Sequence, residues 1–370
     1  VYNLIADTHN EHLLMTTISK PDLAKTLSIL APALLTDKTV LQPALTHFCF
    51  CGDAGVFSYD GVTFIISADS NFGFDGGVPG QLLLDLLPYL PEHISTTTVA
   101  PTGTVTFTGK GTKQTLALIP PDDFILDLPL QMKPDLSIDC DATFLDKLIL
   151  CRSIVPTQTL IENRGVVTYQ PGNGLLWATS GSALIRAAVG ATKSKKTLNY
   201  LIPVSVIDQL AAVKSTTNTE TLLLNFSEKH LVVRFEGGIK LVSKLVTVAP
   251  PNYQQVIDSL EKAPRAYHLP EGLRASLKKA KLLDETNSAT TLTLDHASLE
   301  VNSNGSLGTL NDKHKIAAVA SEVEATMSVR INPDLVLDML EHANEIAFSE
   351  RYVVLTNKDT GLLYIAATFA

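Results

Sequence analysis

Apolar residues recur at helical spacing behind a proline in three places along the chain. Residues 200–213, YLIPVSVIDQLAAV, pass from strand-forming residues through Pro203 into Val204, Ile207, Leu210, Ala211 and Val213, one buried stripe of a helix. Proline suits such a start because the first helical turn has no use for the N–H it lacks. The unit returns as GVPGQLLLDLLPYL at 77–90 and as RINPDLVLDML at 330–340, with Pro79, Pro203 and Pro333 spaced 124 and 130 residues apart (203 − 79 and 333 − 203). A unit that returns at domain-sized intervals predicts three copies of one fold.

Between these helices the pattern changes to period two, the mark of half-buried antiparallel strands. In the first copy it predicts strands at 12–18, 44–50, 56–59, 62–68, 71–74, 104–108 and 114–118, with a helix over 21–35 behind Ser19. In the second it predicts strands at 136–139, 165–169, 175–178, 184–189, 221–226, 230–235 and 239–248, and a helix over 142–155 with Leu145, Leu148, Ile149 and Ile154 inward. The third has a helix over 271–283 and strands at 290–294, 298–302, 325–330, 346–348, 352–356 and 362–368. Each copy therefore reads strand, helix, strands, helix, strands. The expected class is α+β, two helices on an antiparallel sheet per domain, with domains at 1–132 (after a short leader), 133–264 and 265–370. There is no βαβ rhythm, which argues against a parallel nucleotide-binding sheet.

Length and composition agree: 370 residues suit two or three domains, and 45% apolar residues suffice for their cores. No run reaches the roughly 18–20 apolar residues of a membrane span, and no signal sequence opens the chain, so the expectation is a soluble, cytoplasmic protein, trimmed before Val1. Cys49, Cys51, Cys140 and Cys151 do not form a secreted disulfide framework. Cys49, Cys51 and His47 share one side of a strand, but zinc wants a fourth ligand, and buried structural thiols are the expectation, with no metal and no cofactor. A net charge of −9 argues against a coat of phosphate-binding residues, though not against nucleic acid on one local surface.

Four stretches, SKLVTVAPPNYQQVI at 243–257, ATSGSAL at 178–184, RINPDLVLDML at 330–340 and LALIPPDDF at 116–124, resemble one family, the DNA polymerase III β-type sliding clamps of bacteria and their phages. SKLVTVAPPNYQQVI at 243–257 is similar to the joint S-[KR]-L-[IV]…P-x-Y-x-x-V between the family's second and third domains. ATSGSAL at 178–184 resembles its A-T-D-G-H-R-L turn, residues 330–340 its F-N-x-x-Y-L-L-D-x-L helix start, and LALIPPDDF at 116–124 the L-P-x-x-D-F that closes its first domain. Order and spacing agree over nearly the whole chain. The resemblance implies a head-to-tail homodimeric ring of six domains, a processivity factor that encircles duplex DNA without reading sequence and binds a polymerase and a clamp loader through short peptide motifs. The chain differs from the family at Ser180, Ser182, Ala183, Gln254 and Gln255 and in its closing residues, which implies a divergent member, viral for example, whose pocket carries less charge.

Carried over position by position, the resemblance implies a partner-peptide pocket of Thr179, Gly181, Leu184, Pro251, Val256, Asn332, Leu335, Ile365, Ala367 and Phe369; the plainer reading makes Leu184, Val256 and Ile365 ordinary core. Cations on helices expected to face DNA are Lys25, Arg152, Arg274, Lys278, Lys279 and Lys281, and Lys38 stands where the family has a DNA-contacting arginine. Acidic residues on the same helices nearly balance them, and a solvated helix face is the plainer reading. Leu116, Leu282 and Leu283 match ring-interface positions.

Enzyme signals are poor. GKGT at 109–112 lacks the phosphate-loop pattern and precedes a hairpin. Asp122 and Asp123 are sequence neighbours in a proline-rich connector, Lys193, Lys195 and Lys196 form a solvated loop, and the nine histidines are scattered with no H-x-x-x-H. The expectation is a non-enzymatic clamp; the alternative is a scaffold with the same fold that binds replication or repair proteins without encircling DNA.

Overall fold

The structure, a computed structural model, describes residues 16–36, 42–52, 55–68, 70, 72–99, 103–121, 124, 132–157, 165–192, 198–260, 266–283, 289–295, 298–319 and 326–369. Lys38, Asp122, Asp123, Lys193, Lys195, Lys196 and most of the first expected strand lie outside these residues.

In chain order the elements are β1 (Thr16–Ser19), α1 (Lys20–Leu30), β2 (His47–Cys51), β3 (Val56–Tyr59), β4 (Thr63–Ser67), β5 (Asp75–Pro79), α2 (Gly80–Leu86), β6 (His93–Val99), β7 (Thr104–Gly109) and β8 (Thr112–Ala117). There follow β9 (Leu136–Cys140), α3 (Ala142–Ser153), β10 (Val166–Gln170), β11 (Leu175–Thr179), β12 (Ala183–Ala188), β13 (Tyr200–Pro203), α4 (Val204–Thr217), β14 (Leu222–Phe226), β15 (His230–Arg234) and β16 (Ile239–Lys244). The remainder is α5 (Tyr253–Ser259), β17 (Ala266–His268), α6 (Leu273–Leu282), β18 (Thr290–Asp295), β19 (Ser298–Gly305), β20 (Gly308–Lys315), β21 (Met327–Ile331), α7 (Pro333–Leu337), β22 (Glu345–Phe348), β23 (Tyr352–Asn357) and β24 (Leu362–Ala367).

The chain divides into two compact units, Val1–Leu145 with Ser205–Thr247 and Asp146–Val204 with Val248–Ala370. The first holds an eight-stranded sheet ordered β5-β2-β3-β4-β16-β15-β14-β9 and a four-stranded sheet β1-β6-β7-β8. The second holds an eight-stranded sheet β13-β10-β11-β12-β24-β23-β22-β17 and a four-stranded sheet β20-β19-β18-β21. The α+β class and its antiparallel sheets are as the periodicity predicts. Each long sheet is joined at its centre, by β4 with β16 (Phe64 opposite Val242) and by β12 with β24 (Leu184 opposite Ile365), so distant stretches of sequence supply its two halves.

Several local expectations are corrected. The strand expected at 44–50 opens with a 3-10 turn, Pro43–Thr46, and begins at His47. The strand expected at 71–74 lies at Asp75–Pro79 instead, and carries two glycines. A Cβ on Gly77 would come within 2.2 Å of the Phe124 ring, so a missing side chain marks this strand where an apolar one was sought. On α4 the buried stripe includes Val206 and Gln209, while Ala211 is only half-buried. On α3 the inner positions are Phe144, Leu145, Leu148 and Cys151, with Val155 buried just past its end; Ile149 and, beyond the helix, Ile154 are half-buried. Strands β6 and β20 and helix α5 had no sequence signal. HISTTTV and GTLNDKHK have too few apolar residues to alternate, and α5 is only seven residues long.

Cys49, Cys140 and Cys151 are buried and all four cysteines are free. Burial pushes the thiol of Cys140 up to about 12 and raises those of Cys49 and Cys151 as well. Cys49 and Cys51 lie 4.0 Å apart, Sγ to Sγ. Among the described residues no group of three His, Cys, Asp or Glu side chains is gathered for a metal. The expected outcome of thiol titration of native protein near pH 8 is rapid labelling at Cys51 alone, with the other three released on denaturation; rapid labelling of Cys151 would contradict this burial.

Candidate functional site

The turn between β11 and β12 is shaped by its own hydroxyls. Gly181 sits at φ +94°, a left-handed conformation that glycine accepts freely. Its N–H donates to Thr179 Oγ1 (3.1 Å), Thr179 Oγ1 donates to the Ala183 carbonyl (2.8 Å), and the Ala183 N–H donates to Ser180 Oγ (3.0 Å). The turn is thereby closed without the charged residues of the resembling motif.

Strand alternation then sets one face. Thr179 stands opposite Leu184 and Leu184 opposite Ile365, and Ala367 follows Ile365 by two. Trp177, Leu184, Tyr253, Ala347, Val354 and Ile365 form a buried cluster on this face, with half-buried Val256, Leu175 and Leu363 packed at its margin. Helix α5 is held down by stacking of Tyr253 on Trp177, centroids 5.2 Å apart and planes 10° apart. The Tyr253 hydroxyl bonds Thr168 Oγ1 at 2.8 Å, and burial pushes its pKa up to about 12, so it remains a neutral hydrogen-bonding group. Trp177 Nε1 donates to Gln170 Oε1 at 3.0 Å. Asn252 caps α5 by accepting from the Gln255 N–H, and the Pro251 carbonyl accepts from Tyr253.

The expected pocket residues therefore fall into two groups. Thr179, Leu184, Val256, Ile365 and Ala367 share this face; Leu184 and Ile365 are themselves core, and Thr179, Val256 and Ala367 are half-buried. Leu335 lies against the opposite face, where the Tyr364 hydroxyl donates to its carbonyl. Asn332 caps α7 there through the Asp334 N–H at 2.9 Å. Phe369 donates its N–H to the Arg330 carbonyl and leaves its ring 45% exposed. A residue not found by motif, Arg186, shares the face with Leu184. Its guanidinium lies over the Trp177 ring at 5.8 Å, and burial lowers its pKa. Its place two positions beyond Leu184 on a strand was the available signal.

The cations expected to face DNA are largely engaged. Arg274 pairs with Glu341, Lys279 with Asp312 at 3.0 Å and Lys281 with Asp334 at 2.5 Å. Arg152 donates to the Val155 carbonyl. Lys25 and Lys278 are exposed.

Among the described residues the four sheets end in eight strands, and two of these, β8 and β20, end the four-stranded sheets at the positions that the joints occupy in the long ones. Strands β8 and β20 are each bonded on one side only. Leu118 donates to Gly103 beside β7, so by alternation the N–H groups of Lys113, Thr115 and Ala117 point out of the sheet. At the joined edges the strand-end residues Lys244 and Ala367 donate across to Val62 and Ser182, in the place that Ala117 has on β8. Apolar side chains are also exposed on and just after α2, at the end of α6 and in the β19–β20 turn. Leu82 and Tyr89, three and ten residues after Pro79, are 45% and 74% exposed, whereas Val206 and Val213 at the same offsets from Pro203 are 0% exposed. Leu282 and Leu307 are 76% and 60% exposed, Leu283 is half-buried, and Leu116 is buried within its own sheet.

No family model matches the chain, and no curated protein matches it. Solved structures do. A putative DNA polymerase III β subunit from Eubacterium rectale superposes with a TM-score of 0.84 at 14% identity, covering 96% of this chain and 99% of that one. The DNA polymerase III β subunit of Thermotoga maritima gives 0.81 at 18% identity, over 97% and 100%. A sliding clamp from Pseudomonas aeruginosa bound to griselimycin gives 0.82 at 16% identity, also over 97% and 100%. The chain has the sliding-clamp fold over nearly its whole length.

Proposed function

We propose that this chain is a DNA sliding clamp, a non-enzymatic homodimeric ring that encircles duplex DNA in a bacterial or infected bacterial cell and tethers a polymerase to it. In this reading the chain is three copies of one domain, 1–132, 133–264 and 265–370. The central copy gives one half-sheet to each neighbour, and two chains close head to tail. The observation that carries the reading is the equivalence of two end strands to the strands of the joints. Strand β8 holds the place in its half-sheet that β16 and β24 hold at the two joints, and β20 holds the place of β4 and β12. Counting from the hairpins, Thr309 pairs with Asn304 as Phe64 pairs with Tyr59 and Leu184 with Thr179. The register of the joints, applied to a second copy of the chain, sets Thr115 opposite Thr309 and Leu116 opposite Gly308. The same closure covers Leu82, Tyr89, Leu282 and Leu307, and Leu283 beside them.

A closed ring holds DNA mechanically, so tight phosphate binding would only slow it. The ion pairs of Arg274, Lys279 and Lys281 suit that task. Lys25 and Lys278, exposed on the helices, are left for weak, sequence-independent contact, with Lys38. Partner segments, from the polymerase and a clamp loader, would enter the face of Thr179, Leu184, Val256, Ile365 and Ala367, with Gly181 and Pro251 at its ends and Phe369, Asn332 and Leu335 beyond it. Such tethering raises local polymerase concentration and with it processivity.

Two measurements test the reading. Light scattering is expected to give twice the 39.9 kDa chain mass. Loaded on nicked circular DNA, the protein is expected to stay bound through a salt wash and to leave when the circle is cut, because a topological link has little of the salt dependence of phosphate contacts. Equal loss from circles and linear DNA would support a non-encircling scaffold instead.

A further inference from the structure

Arg186 is the one charged residue on strands β10, β11, β12 and β24. It stands opposite Trp177 on one side and Leu363 on the other, two residues from Leu184, on the face under α5. Its Nε is buried with no hydrogen-bond partner, and its terminal nitrogens make no ion pair among the described residues. The carboxylate on α5, Asp258, accepts from Gln254 at 2.8 Å instead, and Glu345 further across the sheet is held by Lys358 and Thr356. A guanidinium half-withdrawn from water without a carboxylate has lost solvation and gained only the Trp177 ring in return. That ring holds the guanidinium against the cluster, so its planar fork is pre-organised for a two-point contact with a carboxylate.

We infer that the partner segment received by this face carries an aspartate or glutamate side chain that pairs with Arg186, next to apolar side chains resting on Val256 and Leu363. The inference rests on the proposed partner face and adds the chemistry of its ligand. Charge complementarity selects the occupant. On a chain of net charge −9, a single unpaired cation set among apolar residues favours an acidic segment there and no other place on the face does. A neutral segment would leave the guanidinium buried and unpaired, so the arginine discriminates as well as attracts.

The test uses the full chain and an array of acetylated, amidated pentapeptides. Each holds one Leu and one Phe, with Asp, Glu, Asn or Gln placed in turn at the other positions, and binding is read by fluorescence polarisation. The expected result is that the tightest carboxylate peptides bind roughly ten- to a hundredfold better than their amide isosteres, as a charge-assisted pair implies. In Arg186→Met, which keeps the apolar stem over Trp177, the carboxylate preference is expected to vanish, with carboxylate peptides weakened and amide peptides bound more tightly than by the natural protein. Equal binding of carboxylate and amide peptides to the natural protein overturns the role of Arg186 and leaves the partner face standing. Preference for a free carboxy-terminus over an internal acidic residue overturns the side-chain assignment. Binding of no peptide in the array overturns the partner face and the inference together.

Discussion

Replacing Thr115 by proline is expected to turn a particle of twice the chain mass into one of 39.9 kDa, measured by sedimentation. Thr115 lies in the middle of β8, and its N–H points away from β7, so within the chain the substitution breaks no ladder bond. Proline is tolerated on an open edge for that reason and forbidden in the interior of a sheet. In the proposed dimer β8 would become interior. The lost donor and the ring directed at the partner strand should cost about 3 kcal/mol, roughly a hundredfold in Kd. Thr115 also bonds Thr106 through its hydroxyl at 2.9 Å, an exposed contact. Thr115→Val, which loses the hydroxyl but keeps the N–H, is therefore the control and should remain dimeric. A proline variant that sediments with the natural protein would remove the β8–β20 pairing, and with it the ring as argued. Retention on circular DNA should follow the same pattern, being lost with proline and kept with valine.

Trp177→Ala should lower stability by about 3–5 kcal/mol, the usual cost of truncating a buried large aromatic, and the melting temperature by about 10 °C. Three links are lost together: the stacking on Tyr253, the bond from Nε1 to Gln170 and the surface beneath Arg186. Phenylalanine keeps the stacking and loses the hydrogen bond, so Trp177→Phe should fall between the two. Circular dichroism melts of the three proteins give the order directly. An alanine variant within about 1 kcal/mol of the natural protein would mean that α5 is held by something other than this ring. Because Trp177 is the chain's one tryptophan, its fluorescence in the natural protein also reports on any segment that binds beside it.

The residues of the candidate face were legible one at a time, and their arrangement was not. The turn at 178–184 and the joint at 243–257 were found as motifs, and Thr179, Leu184, Val256 and Ile365 do share a face. Asn332 and Leu335 were grouped with them by resemblance, yet Leu335 sits where Tyr364, not Ile365, points. Strand alternation separates those neighbours, and a motif carries no statement about which side of a sheet its residues reach. Arg186 escaped because it stands among alanines and isoleucine in a strand of otherwise apolar residues, where a cation is read as an outlier rather than as a group with a task. The lysines of α6 were counted as available charge; their carboxylate partners Asp312 and Asp334 lie 33 and 53 positions away from Lys279 and Lys281.

The sequence by itself determined the α+β class, the antiparallel strands and the recurring proline-led helices, because period and helix-start chemistry are local and survive without knowledge of neighbours. It could not determine strands such as β6 and β20, whose stability comes from the ladder beside them rather than from apolar alternation. Only the tertiary structure decided that β4 meets β16 and β12 meets β24, which leaves their counterparts β8 and β20 bonded on one side only. Backbone hydrogen bonds between strands are blind to side-chain identity, so pairing across more than a hundred residues is settled by the packing of whole sheets and not by any residue that could be read alone.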